Sequence, residues 1–190
     1  MNEKQALLQA ARSALRELEA VFQAVDEAEL ETMLDRLQAA RRVFLTGAGR
    51  EGIATRGFAM RLTHLGKQAH WLMDDTTPAM GPGDLFLCVN GSGCIASIDG
   101  TLERARATGA SIQIVTGSPC SLQGAQKDGV FFLPAAVYKA KDPRVVPSSQ
   151  PMGNLFEQAL FLFFDLCAVR LAERMGLSYA QMEARHRNIE

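Results

Sequence analysis

The sequence predicts a three-layer α/β protein with a doubly wound, five-stranded parallel sheet and additional helices at both ends of the chain. From residue 42 onward, short apolar runs alternate with helical segments, a pattern typical of parallel strands joined by right-handed crossovers. These runs are continuously hydrophobic, as in strands buried on both faces. The chain has 190 residues, 47% of them hydrophobic, which predicts a single domain (1–190) with one core.

Residues 1–41 are predicted to form an N-terminal helical arm. Apolar residues recur at helical spacing from residue 3 to about 41, and the polar stretch VDE at 25–27 indicates a break between two helices. Because the arm precedes the first strand, it either covers the sheet or supplies an oligomer surface. The pattern leaves both possibilities open.

The α/β core is predicted to span residues 42–134, with C-terminal helices in 148–190. The expected strands are 43–46, 69–73, 85–90, 111–116 and 130–133. Helices are expected at 53–65 and 95–108, with a short one at 121–126. A loop at 137–149 containing two prolines precedes a strongly apolar helix at 152–175 and a last short helix at 177–188.

Composition and cysteine spacing exclude several classes of function. The formal net charge of −1 gives no general attraction to nucleic acid or to an anionic membrane. The four cysteines form no CxxC pair, so neither a zinc site nor a disulfide framework is expected. No apolar run approaches the roughly 20 residues of a membrane span, and the N-terminus lacks the apolar region of a signal peptide. The sequence therefore predicts a cytoplasmic protein with neither membrane nor nucleic-acid partners.

The string GAGREG (47–52) follows the first predicted strand and opens a helix. It matches GxGxxG, which also occurs in dinucleotide-binding folds, and Asp74 or Asp75 after the second strand suits a ribose-binding acid. Gly47 and Gly49 allow the backbone to turn tightly and to present helix N-terminal amides to an anion. A tight turn without any ligand is the simpler alternative.

A second small-residue loop, NGSG (90–93), follows the third predicted strand. In a doubly wound sheet, the loops after the first and third strands meet at the topological switch point. Asn90, Ser92 and Gly93 would therefore share one crevice with the first loop. A dinucleotide site needs only one such loop, so the pair favours a compact phosphorylated ligand.

Four strings in the chain resemble SIS (sugar isomerase) domains, and among these the 6-phospho-3-hexuloisomerases. They are GAGR (47–50), FAMRLTHLG (58–66), QPMGNLFE (150–157) and RHRNIE (185–190), and the resemblance extends from about residue 43 to the C-terminus. It implies a flavodoxin-like sheet and a homotetramer with sites where subunits meet. It also implies the interconversion of 3-hexulose 6-phosphate and fructose 6-phosphate, a step of the ribulose monophosphate route of formaldehyde fixation.

Moving a carbonyl between C3 and C2 requires a base and a group that stabilises the enediol, but neither a metal nor an organic cofactor. Glu157, a carboxylate in an otherwise apolar helix, is the candidate base, although an acid that only favours the helix N-terminus is an alternative. The resemblance assigns an assisting proton-transfer role to His186. Arg50 suits a phosphate or an enediolate, and a surface ion pair is its alternative. His64, His70 and Arg61 are expected to be structural.

The two loops depart from the usual SIS pattern at four positions. SIS phosphate loops commonly read SxSGET, whereas this chain has Asn90 at the first serine and Cys94 and Ile95 at the last two positions. Glu51 follows the arginine where such isomerases commonly carry serine, and it would repel phosphate unless it points away or pairs with Arg50. Compensating hydroxyls would come from Ser97 and from Ser118 or Ser121 after the fourth strand, although the sequence GSP at 117–119 is also typical of a turn without a ligand.

These departures motivate an alternative function, an SIS protein with a different sugar-phosphate ligand. Such a protein would be another aldose–ketose isomerase or a non-catalytic sensor. A dinucleotide-dependent oxidoreductase is a further alternative, which depends on the GxGxxG match alone. The primary prediction is a ketose-phosphate isomerase, which is an intramolecular oxidoreductase.

Overall fold

A computed structural model describes residues 2–123, 129–139 and 142–189, and its centre is a parallel sheet of five strands in the order β2-β1-β3-β4-β5. The strands are β1 (Arg42–Gly47), β2 (Gln68–Trp71), β3 (Leu85–Val89), β4 (Ser111–Thr116) and β5 (Gly129–Phe132). The helices are α1 (Glu3–Gln23), α2 (Glu27–Ala39), α3 (Gly49–His64), α4 (Ala96–Ala107), α5 (Asn154–Arg174) and α6 (Tyr179–Glu183). The predicted fold class is confirmed.

The strand order reverses between β1 and β3, so the topological switch point lies there. Gly47 at the end of β1 is opposite Val89 at the end of β3. The glycine-rich loops that follow these strands therefore leave the sheet side by side. All five residues of β3 are buried, as expected for a central strand covered on both faces.

Helices cover the two faces of the sheet unequally. On one face, α2, α3 and α5 pack with alternate strand residues, and Phe58 of α3 stacks on Phe164 of α5 with ring centroids 4.4 Å apart. On the other face, α4 packs its Ile98 and Leu102 onto the remaining strand residues, which include Phe86. Helix α5 belongs to the face with more helices. The side of α5 that packs in this core is apolar because it is buried there.

The N-terminal arm covers the domain with only part of its first helix. The C-terminal half of α1 packs on the domain, where Val21 is fully buried. Glu17 accepts hydrogen bonds from the Ser148 hydroxyl, the backbone and hydroxyl of Ser149 and the Gln150 amide, which lowers the pKa of its carboxyl to about 2. The preceding part of the helix instead exposes apolar residues: Leu7, Leu8 and Leu15.

Several element boundaries differ from the prediction. Helix α3 begins at Gly49 instead of 53, and β2 ends at Trp71 instead of 73. Helix α5 begins at Asn154 because Met152 and Gly153 adopt positive φ, which a helix does not allow. A 3₁₀ turn (Pro119–Ser121) stands where the helix 121–126 was expected, and positions 124–126 of that helix lie outside the described residues.

The last helix is much shorter than the predicted 177–188, with only five residues in α6. Residues 183–189 are exposed, so no burial of apolar surface supports a longer helix. None of the helices in the described ranges combines the length and apolar character that a membrane-spanning segment needs.

Candidate active site

Three loops at the carboxyl ends of the strands are tied together. The Asn90 amide donates to Val115 of β4, and the Gly117 amide donates to the Gly91 carbonyl at 3.0 Å. Gly93 adopts a φ of +71°, and a Cβ there would lie 2.6 Å from the Ser118 carbonyl oxygen. The second loop is therefore held against the loop after β4, and only glycine fits at position 93.

The first loop is equally tight. A Cβ on Gly52 would lie 2.5 Å from the Gly47 carbonyl oxygen, so the start of α3 packs directly on the end of β1. Helices α3, α4 and α5 all begin without a side-chain cap, and Ile95 at the N-cap of α4 has no group that could serve as one. Uncapped first-turn amides are suited to an anionic ligand.

Arg50 and Glu157 meet across α3 and α5. The Arg50 Nε lies 2.5 Å from the Glu157 Oε2, and the arginine side chain is 64% exposed while the glutamate is 16% exposed. This Oε2 atom is buried and accepts no hydrogen bond of good geometry from the described residues, so the contact is an ion pair. The structure brings these two predicted site residues together.

The Arg50–Glu157 pair borders a cavity of about 370 Å³, which is also lined by Ile53, Gln158 and Phe161. This volume is within the range of small-molecule sites. The sequence analysis missed Gln158 and Phe161. Phe161 lies four residues after Glu157, a spacing that places both on one helix face, whereas the position of Gln158 gave no such signal. Gln158 also donates to the Gln150 Oε1 at 2.9 Å, and this links α5 to the loop before it.

Glu51 adopts neither of the two arrangements that would remove it from a phosphate. Its Oε2 accepts a hydrogen bond of 3.0 Å from the amide of Gly91 in the second loop. Burial raises the pKa of the Glu51 carboxyl to about 7, the Gly91 amide opposes this, and the charge of Glu157 adds to it. The carboxyl thus lies inside the crevice, paired with a neutral amide.

The polar residues of the second loop differ in how accessible they are. Asn90 is fully buried, its Nδ2 lies 3.4 Å from Asp99 on α4, and its Oδ1 accepts no hydrogen bond from the described residues. Ser92 is half-buried, and its hydroxyl oxygen lies 3.5 Å from the Cys94 sulfur. Ser97 is exposed in the first turn of α4. Ligand contacts by these residues stay predictions.

Ser118 is fully buried, and its hydroxyl oxygen lies 2.8 Å from that of Ser121. The Ser118 amide donates to the Thr116 hydroxyl at 3.0 Å. In the described structure, Ser118 therefore holds the shape of the loop after β4. Its predicted contact with a ligand is untested.

His186 lies at the opposite end of α3 from Arg50. Its ring stacks on His64 at 5.2 Å, and both rings border a cavity of about 390 Å³ with Arg185 and Met60. Fourteen residues of helix separate Arg50 from His64, which is about 20 Å at the usual rise. Within one chain, His186 is therefore far from Glu157.

His64 is buried, and its pKa is lowered by that burial and by the nearby His186 and Arg61. Its carbonyl accepts a hydrogen bond of 3.1 Å from the Arg185 guanidinium, so α3 anchors the C-terminal segment. Arg61 forms an ion pair with Asp165 on α5 at 3.4 Å. The expected structural role of His64 thus includes a direct contact with a candidate catalytic residue.

The dinucleotide alternative gains no support from the acids after β2. Asp74 pairs with the Arg56 guanidinium at 3.0 Å, and this arginine also lies over the Trp71 ring. Trp71 in turn lies 3.4 Å from a Cβ placed on Gly52. In the described residues, Asp74 is therefore engaged with α3.

Comparisons with known proteins extend over most of the chain. No protein-family model matches it. The 3-hexulose-6-phosphate isomerase of Bacillus subtilis (strain 168) is 34% identical over 166 residues, which cover 87% of this chain and 89% of that protein. The protein of the same name from Mycobacterium gastri is also 34% identical over 166 residues, with 87% and 82% covered.

The solved structures include a protein from Methanococcus jannaschii that is 25% identical to this chain, with a TM-score of 0.79. The match covers 96% of this chain and 99% of that one. The crystal structure of that protein was described as inferring a function of 3-hexulose-6-phosphate isomerase. Sequence and fold comparisons therefore agree on the same group of relatives.

Proposed function

Because the chain belongs to the SIS family of sugar-phosphate isomerases, we propose that it interconverts 3-hexulose 6-phosphate and fructose 6-phosphate. This reaction would place it in the ribulose monophosphate route of formaldehyde fixation, as the resemblance in the sequence implies. The observation that carries the proposal is the cavity beside the switch point, where Glu157 and Arg50 face each other. The names of the relatives support the choice of substrate.

Glu157 is proposed as the base that moves the proton. It removes the proton from C2 of 3-hexulose 6-phosphate, and O3 takes up a proton, so that an enediol forms across C2 and C3. The proton then returns at C3 while O2 loses its hydroxyl proton, which gives the C2 carbonyl of fructose 6-phosphate. The carboxylate suits this task because it is largely buried and its Oε2 lacks a hydrogen bond of good geometry from the described residues. Its ion pair with Arg50 must loosen before it can reach a substrate carbon.

Arg50 is proposed to leave its ion pair with Glu157 and to bind the ligand instead. Its guanidinium is mostly exposed, so it can turn toward a phosphate or toward the developing enediolate oxygen. The amides of the two loops, at Gly47 and Gly49 in the first and at Gly91 and Gly93 in the second, would hold the phosphate together with polar groups of the second loop. These groups are Asn90, Ser92 and Ser97, with Ser118 supporting the neighbouring loop.

His186 is proposed to act in the site of a neighbouring subunit, since about 20 Å of helix separates it from the site of its own chain. Exposed apolar residues on α3 and α5 support an oligomer: Ile53, Met60, Phe161, Leu162, Leu166 and Val169. A homotetramer is the assembly that the sequence resemblance implies.

The test is an assay that couples the formation of fructose 6-phosphate from 3-hexulose 6-phosphate to a dye or cofactor signal. Turnover of 3-hexulose 6-phosphate supports the proposal. Its absence, with the protein folded and stabilised by another sugar phosphate in a thermal-shift screen, refutes it. The same screen includes NAD, and stabilisation by NAD alone would instead favour an oxidoreductase.

A second candidate function follows from the departures in the two loops. Glu51 accepts a hydrogen bond from the Gly91 amide. Cys94 and Ile95 depart from the phosphate-loop pattern that the resemblance to SIS domains implies. An SIS protein that recognises a different sugar phosphate, as an isomerase or as a sensor, fits these changes. Stabilisation by one sugar phosphate without turnover of 3-hexulose 6-phosphate would favour this candidate.

A further inference from the structure

The crevice between the two glycine-rich loops already contains a carboxylate of the protein itself. Glu51 reaches from the first turn of α3 to the second loop, where its Oε2 accepts a hydrogen bond of 3.0 Å from the Gly91 amide. Its Oε1 lies against Gly91 as well, so that no Cβ would fit on that residue. An anionic ligand group that approached this amide would meet the Glu51 carboxylate first.

Two of the groups in the crevice that could hold an anion are thus engaged internally. The Gly91 amide is bonded to Glu51, and the Arg50 guanidinium is paired with Glu157. A phosphate needs the same amides and the same guanidinium. Ligand binding must therefore exchange the carboxylates of the protein for the oxygens of the ligand.

We propose that Glu51 is a specificity-determining residue that occupies the second-loop amide in the unliganded protein and must take up a proton and release this amide before a phosphate group binds. The inference deepens the proposed function, because it concerns the same site and takes a phosphorylated ligand as the occupant. A neutral residue at this position would add no charge to the crevice.

Charge explains why a proton must accompany the exchange. Two anionic groups repel each other strongly when they share a buried, amide-lined site. The charged groups around the crevice are Arg50 on α3, Glu157 on α5 and Asp99 on α4, which lies beside Asn90. Arg50 pairs with Glu157, so Glu51 has no cationic partner among the residues that the structure describes.

The protonated form of Glu51 is accessible near neutral pH. Burial, together with the charge of Glu157, raises the pKa of its carboxyl to about 7 against the effect of the Gly91 amide. A neutral Glu51 carboxyl group forms a weaker hydrogen bond with the Gly91 amide than a carboxylate does, and it no longer repels phosphate. A sugar phosphate, with a second pKa near 6, is mostly a dianion above about pH 7. Above this pH, we expect the affinity for the ligand to change with pH because of the protonation of Glu51 and not because of the phosphate.

The measurement is the dissociation constant of fructose 6-phosphate by isothermal titration calorimetry between about pH 6 and pH 9. For the wild-type protein, affinity should fall by up to about tenfold per pH unit above 7, because one proton is taken up with each ligand. Glu51→Gln removes the charge but still fills the crevice, so its affinity should be independent of pH in this range.

Two further variants separate charge from occupancy. Glu51→Ala vacates the amide, so it should bind fructose 6-phosphate at least about tenfold more tightly than the wild type at about pH 8. Glu103→Gln changes an exposed glutamate on α4 and is the matched control, which should keep the wild-type slope. Titrations in two buffers with different ionisation enthalpies at about pH 8 count the protons, and only proteins with Glu51 should take one up.

Equal pH slopes and equal proton uptake in the wild type and in Glu51→Gln would overturn the inference. Loss of affinity at every pH in both Glu51 variants would also overturn it, since Glu51 would then hold the ligand. If no protein binds fructose 6-phosphate or inorganic phosphate at about pH 6, the crevice is not an anion site and the inference is wrong. If binding shows the expected pH dependence but 3-hexulose 6-phosphate is not turned over, only the proposed isomerase function fails.

Discussion

Two glutamates flank the crevice from the first turns of two helices, and their surroundings give them different roles. Glu157 on α5 faces a guanidinium, whereas Glu51 on α3 faces a backbone amide. A cation stabilises a carboxylate more than a neutral donor does. We therefore assign the proton transfer to Glu157 and the control of ligand entry to Glu51.

We expect Glu157→Gln to lower kcat for 3-hexulose 6-phosphate by at least about 100-fold, because an amide cannot accept the substrate proton. The dissociation constant for fructose 6-phosphate should not rise, since the proposed phosphate contacts do not include Glu157 and Arg50 is released from its ion pair. Steady-state kinetics and calorimetry measure the two effects. Glu173→Gln, on an exposed part of α5, is the control and should behave as the wild type. A loss of binding as large as the loss of turnover would indicate a structural role for Glu157.

We expect the stability of the protein to fall as pH rises from about 4.5 to about 7 because of Glu51. The folded state raises the pKa of this carboxyl above its ordinary value of 4.5, so it binds the proton more tightly than the unfolded chain does. The stabilisation is complete below about pH 4.5 and lost above about pH 7, on the order of 3 kcal/mol.

Urea unfolding of the wild type and of Glu51→Gln at about pH 5 and pH 8 measures this effect. The free energy of unfolding of the variant, relative to the wild type, should be higher at the higher pH. The difference between the two proteins cancels the contributions of other carboxyls, such as Asp84, whose pKa is lowered by Arg42. A difference that does not change with pH would show that Glu51 titrates normally.

At the scale of elements, the start of α3 is the most constrained part of the site. Gly52 packs on the end of β1, and this contact sets the direction in which the first-turn amides point. Gly100 on α4 is also helical, but a Cβ there would have only an ordinary contact of 3.6 Å with the Arg104 side chain. Gly100 is therefore a suitable control for a substitution at Gly52, since both are helical glycines and only Gly52 is tightly packed.

We expect Gly52→Ala to destabilise the fold by about 1–3 kcal/mol, because its methyl group would collide with the Gly47 carbonyl. Gly100→Ala should stabilise it by about 0.5–1 kcal/mol, since alanine is the better helix former. Urea unfolding of both variants measures the two signs. A stabilising Gly52→Ala would mean that β1 and α3 can separate without cost.

At the scale of the whole molecule, our proposal that His186 and Glu157 act in one site requires more than one chain. The two side chains lie near opposite ends of α3, and the apolar surface of α3 and α5 lies between them. A neighbouring subunit that covers this surface could bring its own His186 to the cavity beside Glu157. Oligomerisation would then complete the site.

We expect Glu157→Gln and His186→Ala oligomers to be weakly active alone and to regain activity when the two chains are coexpressed. Random assortment leaves roughly a quarter of the sites with both native residues, each from a different chain. The assay is turnover of 3-hexulose 6-phosphate by oligomers purified through tags on both chains. Mixed oligomers without recovered activity would show that the two residues act within one chain or that His186 has no role.

Much of the site was predictable because local pattern and position in the fold determine it. The strands β1 and β3 read as continuous apolar runs, and a parallel sheet brings their loops together whatever the details of packing. Element boundaries were less predictable. The 3₁₀ turn at 119–121 and the short α6 depend on the residues that pack against them, and the sequence of the segment alone does not identify these residues.

The amino-acid sequence by itself determined the sheet, the paired loops and the family, because hydrophobic periodicity and long shared strings depend on residue order alone. Only the tertiary structure decided which charges meet. Glu51 was expected to pair with Arg50 or to point away, yet it bonds to Gly91, forty residues along the chain, while Arg50 pairs with Glu157. Partners this distant in sequence are selected by the packing of α3, β3 and α5, and the same packing separates His186 from Glu157.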